Sequence, residues 1–80
     1  MSLEVFTLRN CDFCRELKES LDLEKIDYTE VQIEKDWRVR LKLEDDHGVK
    51  LYPALRRGNK VIDGNDYDTV RDVISWATGR

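Results

Sequence analysis

The first half of this 80-residue chain alternates between short apolar runs and an amphipathic stretch. Residues 3–8 are mostly apolar, which is typical of a strand buried on both faces. From Cys14 onward, apolar positions recur every three to four residues, so we predict an amphipathic helix from about residue 12 to residue 24. Residues 28–34 then alternate between apolar and polar positions, which predicts a half-buried strand.

The segment 36–47 supports two interpretations. Its apolar and charged residues alternate with a period of two, which taken alone predicts another strand. Asp36 is a suitable N-cap, however, and most of the following residues favour helices. Trp37 and Leu41 also have the i, i+4 spacing of neighbours on a helix surface. Both interpretations remain open at this point, and we favour the helix.

A hairpin is predicted in the next part of the chain. Residues 54–57 and 60–62 flank the dipeptide Gly58-Asn59, which is a favoured two-residue hairpin loop. Pro53, the single proline of the chain, immediately precedes this hairpin.

The C-terminal part predicts a last helix. Apolar residues between positions 67 and 77 recur at helical spacing, with Asn65 or Asp66 as the expected N-cap and Gly79 as the expected end. The predicted order is therefore βαβαββα, in one domain spanning residues 1–80. We expect an α/β fold with a small four-stranded mixed sheet and about three flanking helices.

Composition and charge exclude several classes of protein. Charged residues make up 39% of the chain, but 14 basic against 17 acidic residues leave a net charge of −3. A chain without a basic excess is poorly suited to nucleic acid, because that affinity comes largely from neutralising phosphates. No apolar run is long enough for a membrane span or a signal peptide core. We therefore expect a cytoplasmic protein without nucleic-acid or membrane partners.

The candidate chemistry lies in Cys11 and Cys14, the only cysteines of the chain. A disulfide closing so short a loop would stabilise the fold by only about 2 kcal/mol in the chain-entropy model. A structural zinc ion needs four ligands, and besides carboxylates only His47 could join the two sulfurs. A CxxC pair after a strand and at the start of a helix favours redox chemistry. Two alternatives remain, namely plain buried thiols and a metal or iron–sulfur cluster bridging two chains.

Three landmarks then occur in a familiar order. The CxxC pair follows the first strand, Tyr52-Pro53 precedes the third strand, and Gly64-Asn65-Asp66 precedes the last helix. With these landmarks the chain resembles the thioredoxin superfamily, and at this length its glutaredoxin branch. The resemblance implies a thioredoxin-like fold and a cis peptide bond at Pro53.

The resemblance also implies a function and its residues. Glutaredoxins reduce protein disulfides and glutathione mixed disulfides, with glutathione as the reducing co-substrate and no bound cofactor or metal. By this analogy Cys11 is the attacking thiolate and Cys14 the resolving thiol. The implied substrate-binding residues are Arg9, Phe13, Tyr52, Pro53, Gly64, Asn65 and Asp66. We expect a monomer whose partners are glutathione and disulfide-containing proteins, ribonucleotide reductase being a frequent target of the family.

The chain departs from the family pattern at several positions. Asp12-Phe13 replaces the usual Pro-Tyr between the cysteines, and the negative charge of Asp12 opposes thiolate formation. Asp63 stands where the family has the first of two glycines. Leu51-Tyr52 replaces the Thr-Val pair that usually precedes the proline. Because some small glutaredoxin-like proteins are reduced by thioredoxin reductase, that enzyme is the alternative electron source.

Overall fold

A computed structural model of the chain describes residues 3–79. Its elements follow the predicted order βαβαββα, with one additional 3₁₀ turn after the second strand. The strands are β1 (Leu3–Thr7), β2 (Thr29–Gln32), β3 (Ala54–Arg57) and β4 (Lys60–Ile62). The helices are α1 (Asp12–Leu23), α2 (Trp37–His47) and α3 (Val70–Thr78), and the 3₁₀ turn covers Ile33–Lys35. Within residues 3–79, none of the helices has the length and apolar character that crossing a membrane requires.

The four strands form one mixed sheet in the order β2-β1-β3-β4. Strand β1 runs parallel to β2 and antiparallel to β3, and β3 pairs with β4 in the predicted hairpin. In the centre of the sheet, Val5 lies between Glu30 on β2 and Leu55 on β3. This central position explains the apolar run of β1, because both of its faces are covered.

Helices cover both faces of the sheet. On one face, helices α1 and α3 pack against alternate residues of β1 and a residue of β3. On the other face, α2 and the 3₁₀ turn pack against Phe6 and Ala54. The first core consists of Leu3, Val5, Leu17, Leu21, Leu55, Val73 and Ile74, and the second consists of Phe6, Ile33, Leu43, Val49 and Ala54.

The helical interpretation of residues 36–47 is confirmed, and the strand alternative is wrong. Asp36 caps α2, because its Oδ1 accepts a hydrogen bond of 3.3 Å from the N–H of Val39. Leu43 is the buried residue of this helix, whereas Trp37 and Leu41 are 64% and 48% exposed. The period of two arises because apolar side chains also occupy the outer face of α2, where packing does not require them.

The predicted N-cap of the last helix is wrong. Helix α3 begins at Val70, and its N-cap is Thr69 rather than Asn65 or Asp66. The Thr69 side chain accepts a hydrogen bond from the N–H of Asp72, and the Asp72 carboxylate accepts one from the N–H of Thr69, which forms a capping box. The predicted end at Gly79 is confirmed.

Strand β2 is shorter than predicted. The alternating pattern of residues 28–34 continues to Ile33, but pairing with β1 ends at Gln32. Ile33 is fully buried in the 3₁₀ turn that follows. Its apolar side chain therefore packs in the second core, beneath α2, and is not part of strand β2.

Candidate active site

The two cysteines lie where β1 is joined to α1. Cys11 is the N-cap of α1 and Cys14 lies in its first turn, as the sequence predicts. The two residues are disulfide-bonded, with their Cα atoms 5.2 Å apart. The backbone N–H of Cys14 donates a hydrogen bond of 3.1 Å to the Sγ of Cys11. The start of a helix thus directs an N–H group and the positive end of its dipole toward this sulfur.

The two sulfur-bearing residues differ in exposure. Cys14 is 3% exposed because it lies on the inward face of α1 together with Leu17 and Leu21. Cys11 is only half-buried, because the helix has not yet turned that position toward the core. An incoming molecule therefore meets Cys11 before Cys14.

The peptide bond between Tyr52 and Pro53 is cis, as the resemblance implies. Pro53 is buried, and its carbonyl oxygen accepts a hydrogen bond of 2.6 Å from the hydroxyl of Tyr67. The Tyr67 ring is stacked on the ring of Phe13, with 5.4 Å between the centroids. Because Phe13 lies between the cysteines, Tyr67 joins the CxxC segment to the cis-proline segment.

Sequence reasoning does not reveal this role of Tyr67. Its spacing agrees with the helical pattern that follows, which predicts a place in the last helix. In the structure it precedes α3 and packs against the first core from outside the helix. Burial raises the pKa of its hydroxyl far above the ordinary tyrosine value, and the nearby carboxylates of Asp63 and Asp66 add to this. Tyr67 therefore acts as a neutral hydrogen-bond donor.

A second turn, residues 63–66, is tied to the segment before the cis-proline by Asp63. The Oδ2 of Asp63 accepts hydrogen bonds from the N–H groups of Lys50 (2.7 Å) and Leu51 (3.4 Å). Its Oδ1 accepts one of 2.9 Å from the N–H of Asn65. Asp63 is only 7% exposed. Its burial raises the pKa, but the hydrogen bonds from Lys50, Asn65 and Leu51 outweigh this and hold the pKa below the usual aspartate value.

The rest of the turn is also bonded within the protein. Asp66 accepts a hydrogen bond of 2.9 Å at its Oδ2 from the N–H of Asp63. The N–H of Asp66 in turn donates to the carbonyl of Asp63, and the N–H of Gly64 donates to the carbonyl of Leu51. The side chains of Asn65 and Asp66 are nevertheless exposed.

Gly64 permits the close approach of the two segments. A Cβ atom at position 64 would lie 2.7 Å from the Cβ of Leu51. A side chain there would therefore push the turn away from the segment that precedes the cis-proline.

A cleft of about 290 Å³ opens beside this turn. Asp63, Asn65, Asp66, His47 and Lys50 are among the residues that line it. The structure thus brings together the predicted residues of the turn next to Tyr52 and Pro53.

Tyr52 links the site to α2. Its half-buried hydroxyl donates a hydrogen bond of 3.4 Å to the Oε2 of Glu44, and the guanidinium of Arg40 lies 5.9 Å from its ring centroid. Burial raises the pKa of Tyr52, and the charge of Glu44 raises it further.

Arg9 lies in the loop between β1 and α1 and is exposed. Its backbone N–H donates a hydrogen bond of 2.6 Å to Glu34. This bond connects the loop before α1 to the 3₁₀ turn Ile33–Lys35, and the role of Arg9 in substrate binding stays a prediction. Within residues 3–79, no group of three or more His, Cys, Asp or Glu side chains is arranged to hold a metal ion.

The fold and the cysteine pair together define a thioredoxin-like redoxin. The glutaredoxin family model matches residues 3–62, which is well over half of the chain, so the protein belongs to the glutaredoxin family. No curated protein matches the chain significantly.

Several solved structures share this fold. The thioredoxin-like protein BC3987 matches with a TM-score of 0.77 and 24% identity, over 94% of this chain and 97% of that one. The glutaredoxin-like protein NrdH-redoxin from Escherichia coli matches with a TM-score of 0.74 and 16% identity, over 91% of this chain and 95% of that one. The glutaredoxin from Archaeoglobus fulgidus matches with a TM-score of 0.70 and 21% identity, over 95% of this chain and 84% of that one.

Proposed function

We propose that the protein is a dithiol thiol–disulfide oxidoreductase. The observation that carries this proposal is the unequal exposure of a bonded cysteine pair at the start of a helix. Cys11 is accessible and its Sγ accepts a hydrogen bond from the N–H of Cys14, whereas Cys14 is buried. Such an arrangement leaves one sulfur accessible for attack on the target and the second available to resolve the mixed disulfide.

In the first step, the thiolate of Cys11 attacks one sulfur of a target disulfide. The target S–S bond breaks while a mixed disulfide forms between Cys11 and that sulfur. The other target sulfur leaves as a thiolate and takes up a proton.

In the second step, Cys14 loses its proton and attacks the Sγ of Cys11. The mixed disulfide breaks, the second target sulfur leaves as a thiolate, and the Cys11–Cys14 disulfide forms. The target has then gained two electrons, and the enzyme is in the disulfide form seen in the structure. Two electrons from a reductant restore the dithiol.

The proposed substrates are protein disulfides, with ribonucleotide reductase as one candidate target. Glutathione mixed disulfides are the second proposed class, and their reduction needs the attacking cysteine alone. We propose that the enzyme acts as a monomer in the cytoplasm.

Glutathione is the reductant that family membership favours. In that case the predicted contacts of Arg9, Phe13, Tyr52, Pro53, Gly64, Asn65 and Asp66 would hold the tripeptide. Two molecules of glutathione would supply the two electrons and leave as glutathione disulfide.

A second candidate reductant is the flavoenzyme thioredoxin reductase, and a specific observation favours it. Helix α3 begins at Val70, so its N-terminal N–H groups do not lie at the turn of residues 63–66 and are not placed there to bind a glutathione carboxylate. The carboxylate of Asp66 is bonded to the N–H of Asp63, which leaves it less free to hold a ligand ammonium group. NrdH-redoxin from Escherichia coli is described as a glutaredoxin-like protein with a thioredoxin-like activity profile, so this fold does not itself decide the reductant.

The test is NADPH consumption with a small disulfide substrate and two parallel electron sources. One assay supplies glutathione with glutathione reductase, and the other supplies thioredoxin reductase alone. Turnover in either assay that disappears with Cys11→Ser supports the oxidoreductase proposal, and the faster assay identifies the reductant. Absence of turnover in both assays would contradict the proposal.

A further inference from the structure

The backbone N–H groups around the second turn converge on internal acceptors. Those of Lys50, Leu51 and Asn65 point to the carboxylate of Asp63. Those of Gly64 and Asp66 point to backbone carbonyls, and that of Asp63 points to Asp66. Hydrogen-bond donors that would attract an external anion are thus already satisfied.

The carboxylate of Asp63 lies in this position because of its backbone partners. It carries a charge in a nearly buried place, which is costly for an unpartnered group. Three backbone donors compensate that cost, in the manner of a nest of amides around a bound anion. The geometry is that of a carboxylate-binding site whose ligand is part of the chain.

An internal ligand has a large advantage over a dissolved one. A tethered group competes at an effective concentration of at least millimolar, and a well-oriented group competes at a far higher one. A free carboxylate that displaced Asp63 would also leave the displaced charge beside it. Asp66, which borders the same cleft, adds a further negative charge, and Lys50 and His47 also line this cleft.

The site that the Asp63 carboxylate fills lies close to the segment that leads to the cysteines, so its occupancy bears on substrate binding. Lys50 and Leu51 immediately precede Tyr52 and the cis-proline, and Tyr67 connects Pro53 to the CxxC segment. A thiol substrate that extends from the cysteines along this segment would carry its polar groups toward the cleft beside Asp63.

We propose that Asp63 is an internal ligand that fills a backbone carboxylate site beside the cis-proline segment and thereby excludes carboxylate-bearing thiols such as glutathione from it. Asp63 is then a specificity-determining residue. The inference rests on the proposed oxidoreductase function for its consequence, but the occupancy itself is testable without any redox reaction.

The first experiment tests occupancy by chemical rescue. In Asp63→Ala the carboxylate is removed and a space the size of formate is left beside three N–H groups. The thermal unfolding midpoint of Asp63→Ala should rise saturably with sodium formate at constant ionic strength and neutral pH. Wild type and Asp63→Asn, in which the position stays filled, should show only the small general salt effect. An equal formate response in all three proteins would overturn the proposal.

The second experiment tests exclusion. The oxidised protein is reduced in single turnover by glutathione or by 2-mercaptoethanol, an uncharged thiol without carboxylates. The ratio of the two rates should rise several-fold in Asp63→Ala relative to wild type and remain near the wild-type value in Asp68→Ala, which removes an exposed carboxylate outside the turn. An unchanged ratio in a formate-responsive Asp63→Ala protein would refute the exclusion.

A third variant covers the case in which Asp63→Ala does not fold. Asp63→Ser also removes the carboxylate but keeps one hydrogen-bond acceptor for the surrounding N–H groups. It should show the same saturable formate response, and failure of both variants to gain stability or folded population in formate would reject the internal-ligand assignment. If the wild-type protein showed no turnover with either electron source, the oxidoreductase proposal would be contradicted. The formate experiment would still test whether Asp63 fills the site, because it needs no redox reaction.

Discussion

Two turns border the cis-proline segment, and they use their polar groups in opposite ways. In the CxxC turn, an N–H group at the start of α1 points at the half-exposed Cys11, so a reactive atom remains accessible. In the turn of residues 63–66, N–H groups and carboxylates are bonded to one another, and Asp63 is nearly buried. Under our proposals, the first turn supplies the reactive sulfur, while the second determines which substrates bind beside the cis-proline.

The largest expected effect comes from the cysteines themselves. Cys11→Ser should reduce disulfide reduction to the background rate, because a hydroxyl does not replace the thiolate nucleophile. Cys14→Ser should lose protein-disulfide reduction in every case, and it should retain reduction of glutathione mixed disulfides if glutathione is the reductant. Steady-state assays with both substrate classes measure this. Retained activity in Cys11→Ser would show that the exposed sulfur is not the attacking one.

In the second turn, the largest effect should be on stability. Asp63→Ala leaves the N–H groups of Lys50, Leu51 and Asn65 without their acceptor. We expect a loss of about 2 to 4 kcal/mol in the free energy of unfolding, measured by urea denaturation.

The matched control for that prediction is Asn65→Ala. Its side chain is exposed, and its hydrogen bond to Asp63 uses the backbone N–H, which alanine retains. A change within about 0.5 kcal/mol is expected for this variant. Equal destabilisation by both substitutions would show that the turn does not depend on the carboxylate.

Acid should weaken the second turn in a specific way. Because the pKa of Asp63 is lowered in the folded protein, its contribution is present above the unfolded value of about 3.9 and is lost as the pH falls through the folded value. The difference in unfolding free energy between wild type and Asp63→Asn should therefore be constant near neutral pH and shrink below about pH 4. Glu30, whose pKa is also lowered, should contribute equally to both proteins and cancel. A difference independent of pH would remove Asp63 as the source.

The smallest effect on stability is expected for Tyr67, which connects the CxxC segment to the cis-proline segment. Tyr67→Phe removes the hydroxyl that donates to the carbonyl of Pro53 and keeps the ring stacked on Phe13. We expect a loss of about 1 kcal/mol in stability, and a larger one for Tyr67→Leu, which also removes the stacking. If both variants cost the same, the ring contact contributes nothing beyond the hydroxyl.

Local patterns are sufficient where neighbouring residues decide the structure. The helix capped by Cys11, the hairpin around Gly58 and the end of the chain's last helix at Gly79 follow from periodicity and turn chemistry, and the structure has them there. The predicted start of α3 is wrong because the acidic turn of residues 63–66 is followed closely by Asp68 and Thr69, and both segments offer residues that can cap a helix. Only the capping box at Thr69 and Asp72 shows which one does so.

The cysteine pair, most of the order of strands and helices, and the resemblance to the glutaredoxin family can be inferred from the sequence alone. The unequal exposure of Cys11 and Cys14, the hydrogen bond from Tyr67 to Pro53 and the burial of Asp63 are seen only in the folded chain. This difference follows from the separation of the interacting residues along the chain. Local spacing governs helices and turns, whereas Asp63 and Tyr67 meet their partners in the cis-proline segment, which are remote in the sequence, only after the sheet has formed.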